Sequence, residues 1–181
     1  AGVSLAYYQF PERIKESSEG WIVDVVGQGI RYQLRCRQIV DCSGGASVVG
    51  MLGFERRWSD VRQPGTQVVT FTGFEETVVK ENAALIQKMY DKAIEKGSIQ
   101  KGDTWSGRIM GAIVSVSGNT NHIFGADSSN AATQTQTNLA GRKCVLRLLK
   151  FFKSIPGGEN VTIGKMMNET ASRETYRIKG E

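Results

Sequence analysis

The stretch that most constrains this chain is Gln38-Ile39-Val40-Asp41-Cys42-Ser43-Gly44-Gly45-Ala46-Ser47-Val48-Val49-Gly50. A short β-branched run enters a small, glycine-rich turn, and the turn opens onto small and apolar residues suited to the first turns of a helix. Strand, tight turn, helix is the expected order. With no Cβ in the way, backbone N–H groups at such a junction can approach a phosphate or a nucleotide sugar closely. Many α/β folds use the same spacing merely to pack a helix on a strand, so the glycines alone do not decide between the two.

The remaining patterns predict strands over residues 3–10, ended by Pro11, and a hairpin of 21–26 with 29–36 around Gly27-Gln28-Gly29. In its second strand Ile30, Tyr32, Leu34 and Cys36 alternate with Arg31, Gln33, Arg35 and Arg37, the period of a half-solvated strand. A strand over 39–42 leads into the glycine turn. Pro64-Gly65 marks a turn before a strand over 66–72. Residues 81–96 read as an amphipathic helix, with Leu85, Met89 and Ala93 beside Ile86, Tyr90 and Ile94, and Gly97 past its end. Residues 110–117 and 121–125 read as a second hairpin around Gly118-Asn119. A long helix is expected over 134–154, stopped by Pro156-Gly157-Gly158. The predicted fold class is α+β: an antiparallel or mixed sheet with β-hairpins and two main helices.

Composition removes several functions. The 23 Lys+Arg against 18 Asp+Glu give +5 with no dense basic block, so nucleic acid is not an expected partner. Cys36, Cys42 and Cys144 are odd in number, without C-x-x-C spacing or neighbouring histidine. Neither a disulfide framework nor a structural zinc site follows, and a reducing, cytoplasmic compartment is the simpler expectation, although cysteine-poor proteins are exported too. No apolar run approaches the roughly 18 residues of a membrane span. The chain opens inside an apolar run at Ala1-Gly2-Val3 and closes in mid-pattern at Arg177-Ile178-Lys179-Gly180-Glu181, which is expected of an internal fragment of a longer protein.

Three patches, taken in order, resemble one family. Gly2-Val3, a hairpin, and then Ile39-Val40-Asp41-Cys42-Ser43-Gly44-Gly45 resemble flavoproteins of the glutathione-reductase structural class, where an "AGV" strand and a later "(I/V)-D-A-T-G" turn flank the dinucleotide. Gln63-Pro64-Gly65-Thr66 is similar to a segment of the FAD-dependent oxidoreductase family. Gly141-Arg142, Phe152, Pro156-Gly157, Glu169-Thr170, Arg173-Glu174, Arg177-Ile178 and Gly180-Glu181 resemble that family's "ET…RE…RI.GEY" signature. Two positions depart from it. Tyr176-Arg177 stands where two arginines are common, and Ser43-Gly44-Gly45 where Thr-Gly-Asp is usual.

The resemblance implies an FAD-dependent oxidoreductase acting on a small-molecule substrate. It implies the C-terminal part of an FAD-binding domain over 1–53, a substrate-side α+β domain over 54–168, and the start of a return segment over 169–181. No G-x-G-x-x-G is present, so the pyrophosphate cradle of this class would precede Ala1, and the isolated chain would hold FAD weakly and be inactive. Ser43, Gly44 and Gly45 are the implied FAD contacts, through backbone N–H and the serine hydroxyl, with Phe10 and Pro11 flanking the adenine; an aromatic capping the sheet edge is the plainer reading of Phe10.

Arg173, Glu174 and Arg177 are the flavin- or substrate-side candidates. Spaced i, i+1 and i+4, they would place both arginines on one helix face as a two-pronged donor to a carboxylate, phosphate or flavin carbonyl; a solvated charged face is the plainer reading. No catalytic residue is assigned. His122, the single histidine, is expected at a strand start, with general base as the alternative. Cys42, beside the glycine turn and without a second cysteine nearby, is read as a small buried hydrophobe, with a redox-active thiol as the alternative, and Tyr7, Tyr8 and Trp105 as core or interface residues. A non-catalytic module that binds a partner or glycan stays open, as does an enzyme using NAD, and oligomeric state is unassigned.

Overall fold

Alternation in the 30–36 run becomes the outer strand of a three-stranded meander. A computed structural model describes residues 2–180, with Ser106 described in its backbone alone. Strands β1 (Gln9–Ser17), β2 (Gly20–Gly27) and β3 (Ile30–Cys36) pair antiparallel in that order. Register sets Ile30, Tyr32 and Leu34 opposite Gly27, Val25 and Val23, and Pro11 and Ile14 opposite Val25 and Val23. One face is therefore apolar. On the other, Asp24 accepts from Arg13 Nε at 2.7 Å and from Gln33 Nε2 at 3.0 Å. The Gln33 and Arg13 hydrogen bonds, in that order, hold its carboxyl below the ordinary range.

Pro11 does not end a strand over 3–10. It lies inside β1 at a bulge between Pro11 and Arg13. β1 is an edge strand, where a missing N–H is tolerated. The strand expected over 39–42 does not form, and that segment reaches helix α1 (Ser47–Met51) without joining a ladder. The two-residue strand β4 (Arg56–Arg57) follows.

Strand β5 (Val69–Thr72) is followed by α2 (Glu76–Glu81) and α3 (Ala83–Glu95), a helix–helix pair broken at Asn82 in place of the single helix expected over 81–96. A 3-10 turn (Trp105–Gly107) then leads to α4 (Ile109–Val114). Here the expected hairpin is overturned: 110–117 contains a helix, because Ile109 and Ala112 bury together at i, i+3 spacing, and 121–125 contributes only a bridge between Gly65 and Ile123. Helix α5 (Ala131–Phe152) begins earlier than 134, since the Asn130 side chain accepts from the N–H groups of Ala132 and Thr133, both at 3.0 Å. Strand β6 (Thr162–Met166) pairs antiparallel with β5, and β7 (Arg177–Ile178) pairs antiparallel with β4.

The chain divides into two compact units, Ala1–Ser59 with Thr175–Glu181, and Asp60–Glu174. Every side chain of the hydrophobic core belongs to the second, where Ile86 and Tyr90 of α3, Ile109 of α4, and Cys144, Leu148 and Phe152 of α5 meet β5. Burial pushes the Cys144 thiol up, and the neighbouring Asp103 adds to this. In the first unit Val25 and Ala46 are the buried apolar residues among those described. The molecule is α+β. No described helix is long and apolar enough to cross a membrane.

Candidate functional site

The glycine turn of the first unit is organised by a residue the sequence reading passed over, Asp41. Its carboxylate accepts from Ser43 N at 2.9 Å and from Val49 N at 3.1 Å. Desolvation opposes its ionisation, but hydrogen bonds from the hydroxyl and N–H of Ser43 and from the N–H groups of Val49 and Val48 outweigh it and hold the carboxyl below the ordinary range. The Ser43 hydroxyl also accepts from Ser47 N at 2.8 Å. The first donors of α1 are thus already taken inside the turn, Ser47 N by the Ser43 hydroxyl and Val49 N by the Asp41 carboxylate. The N–H groups of Gly44 and Gly45 make no hydrogen bond among the described residues. Gly44 has φ +76° and open space where a Cβ would stand. The Asp41 carboxylate places a negative charge on this turn. The signal for this in the sequence is an aspartate two residues ahead of a serine, the pattern of a side chain that folds back on its own backbone.

β4 and β7 brace the same turn. Arg56 donates to Gly45 O at 3.4 Å, and Thr175 Oγ1 donates to Gly44 O at 3.5 Å. The Arg56 guanidinium lies 4.0 Å from the Tyr176 ring centroid, and the Trp58 and Tyr176 rings are 4.8 Å apart. Tyr176 serves as the platform for Arg56. Lys179 and Glu55 form an ion pair at 2.7 Å.

In the second unit, distant segments meet on Gly65-Thr66. Gly65 exchanges backbone hydrogen bonds with Ile123 at 2.9 and 2.8 Å, and Thr66 with Ala171 at 2.8 and 2.9 Å. The Asn121 side chain pairs with the Gln67 backbone in both directions, at 2.9 and 2.8 Å. Gln67 Nε2 donates to Met167 O at 2.8 Å, and Thr170 Oγ1 donates to Gln67 Oε1 at 2.7 Å. Gly141 of α5 is packed against Thr170 and Gln67, with no room for a Cβ. The Glu174 carboxylate accepts from Gln63 N at 2.9 Å. Above this floor is a hollow of about 380 Å³ lined by Gln63, Pro64, Thr66, Trp105, Asn119, Asn121, His122 and Arg173.

The expected site residues therefore separate. Ser43, Gly44 and Gly45 share one turn. Phe10 lies in β1 opposite Val26 and is 66% exposed. Arg173 and Arg177 share no helix face: Arg177 is in β7 opposite Arg57, Arg173 is outside any helix or strand, and the two belong to different units. The reason is long-range pairing, β7 being drawn into a ladder by β4. Glu174 serves as an anchor for the Gln63 loop. Cys42 is exposed, not buried, and Tyr7, Tyr8 and Trp105 are 73%, 86% and 60% exposed, so none is a core residue. His122 is placed in no strand; its ring lies 6.1 Å from Trp105 and 6.0 Å from Phe124. Among the described residues no group of three His, Cys, Asp or Glu is placed to hold a metal.

A family model described as FAD dependent oxidoreductase matches residues 1–181, the whole chain. No curated protein and no solved structure matches it.

Proposed function

The chain belongs to the FAD dependent oxidoreductase family, and from that premise we propose that it supplies the wall of a substrate cavity and one edge of the FAD site in such an enzyme. FAD is the family's cofactor; when bound, its ring accepts or donates the electrons of the reaction. The observation that carries the cavity-wall role is the meeting of two patches of the family pattern. Gln63-Pro64-Gly65-Thr66 and Glu169-Thr170 with Arg173-Glu174 are joined by the Glu174–Gln63 and Thr66–Ala171 hydrogen bonds, and between them is the 380 Å³ hollow.

At the FAD edge, Gly44 and Gly45 offer free N–H groups to an uncharged part of the cofactor, while Asp41 keeps the turn closed and turns phosphate away. The pyrophosphate would be held by residues other than these. Turnover then requires a cradle that this chain does not encode, and the 181 residues alone hold FAD weakly and are inactive.

The test is an absorbance spectrum of the complete gene product from about 300 to 550 nm, where oxidised flavin absorbs. Flavin bands that stay with the protein after free FAD is removed by gel filtration are expected. A protein that is colourless after incubation with excess FAD and removal of the free cofactor would overturn the proposal in favour of a binding module.

A further inference from the structure

We propose that the hollow beside Trp105 takes a small carboxylate with a flat, apolar body, of which an aromatic acid is the simplest member. This names a substrate class for the cavity wall proposed above and rests on that reading.

The fold leaves four polar side chains around the hollow unused. The side chains of Gln63, Asn119, His122 and Arg173 converge on the hollow and make no hydrogen bond or ion pair among the described residues. Backbone donors beneath them are committed: Gly65, Thr66, His122 and Ile123 all give their N–H groups to protein carbonyls. A phosphate, which needs several donors around one centre, finds no such nest here. A carboxylate needs one fork, and Arg173 provides it. No acidic side chain lines the hollow, and the nearby Glu174 carboxylate is turned to Gln63 N. Charge therefore favours one anionic group.

The body of the ligand follows from the walls. Trp105 exposes 60% of its surface, its ring is tilted 49° to that of His122, and Pro64 adds a further apolar ring. Such faces suit a planar π-system. The volume is near the lower end of the range of about 300–1,000 Å³ that small-molecule pockets occupy, which limits the ligand to one or two rings. The wall is also preformed, because Trp105 N donates to Thr120 O at 2.5 Å and His122 N to Gly102 O at 2.7 Å. In the same loop the Thr120 hydroxyl is buried without a protein partner.

His122 is the single histidine of the chain, so its Hε1 proton gives an unambiguous NMR signal at fixed pH. Titration with benzoate should move that signal saturably, and neutral benzamide should bind at least about tenfold more weakly, the scale of one charge-assisted hydrogen bond. Arg173→Gln should abolish the preference for benzoate, and Trp105→Ala should weaken both probes; both residues are exposed, so an unchanged far-ultraviolet spectrum is expected of each variant. Equal binding of the two probes, no saturable shift, or a preference that survives Arg173→Gln would overturn the assignment. The two readings fail separately. A complete gene product that retains no FAD, with a benzoate preference intact, refutes the flavoenzyme and leaves the pocket, whereas one that retains FAD without the preference refutes the pocket alone.

Discussion

The carboxylate of Asp41 accepts from Ser43 N and Val49 N, so neutralising it removes the charge that orients the glycine turn. Its native pKa is below the unfolded one. The stabilisation is therefore complete above the ordinary aspartate value of about 3.9 and is lost as pH falls through the lower native value. The amide signals of Ser43 and Val49 should move together with a midpoint under the ordinary range, and a midpoint at or above it would refute the role. Asp41→Asn should loosen the turn by about 1 kcal/mol, read as faster exchange of those two amides. Gly141 sets a second test. A methyl group there would strike the Thr170 hydroxyl and crowd Gln67, so Gly141→Ala should destabilise by about 3 kcal/mol in a denaturant titration. Gly141 and Glu169-Thr170 were visible in the sequence as parts of one signature, but not that they touch, since only packing brings residues 29 apart into contact.

At the scale of elements, local signals were readable where the chain decides locally. β2 and β3 follow their two-residue alternation, and α3 and α5 follow their apolar stripes. α4 did not, because a short apolar run such as Met110-Gly111-Ala112-Ile113-Val114 has no decisive period, and burial of Ile109 and Ala112 chose the helix. Gly111 has an ordinary helical backbone and nothing near its missing Cβ. Gly111→Ala should therefore stabilise the protein by up to about 1 kcal/mol, and a loss on thermal melting would argue against the helix. Asp103 and Arg147 tie the segment before the 3-10 turn to α5 through contacts of 2.7 and 2.6 Å, the aspartate side chain being 3% exposed. Arg147→Met would leave that carboxylate buried without its cation, and a cost of about 3–5 kcal/mol is expected in the midpoint of chemical unfolding.

Across the whole molecule the core is concentrated in one unit. Residues 60–174 hold every core side chain, and Gln63 and Glu174 near their two ends are hydrogen-bonded. Expressed alone, this segment should unfold cooperatively with slowly exchanging amides in α5 and β5, whereas 1–59 alone should show no cooperative transition. A cooperative melt of 1–59 would refute the division. The site was the least readable feature for the same reason: the hollow draws on residues 63, 64, 66, 105, 119, 121, 122 and 173, and no local pattern reports a meeting across that span.

The pairing of β4 with β7 also sets a timetable for synthesis. Glu55 and Lys179 are 124 residues apart in the chain. A ribosome must therefore translate the whole second unit before the first can close, and the Arg56–Tyr176 brace on the glycine turn forms only after that unit has been made.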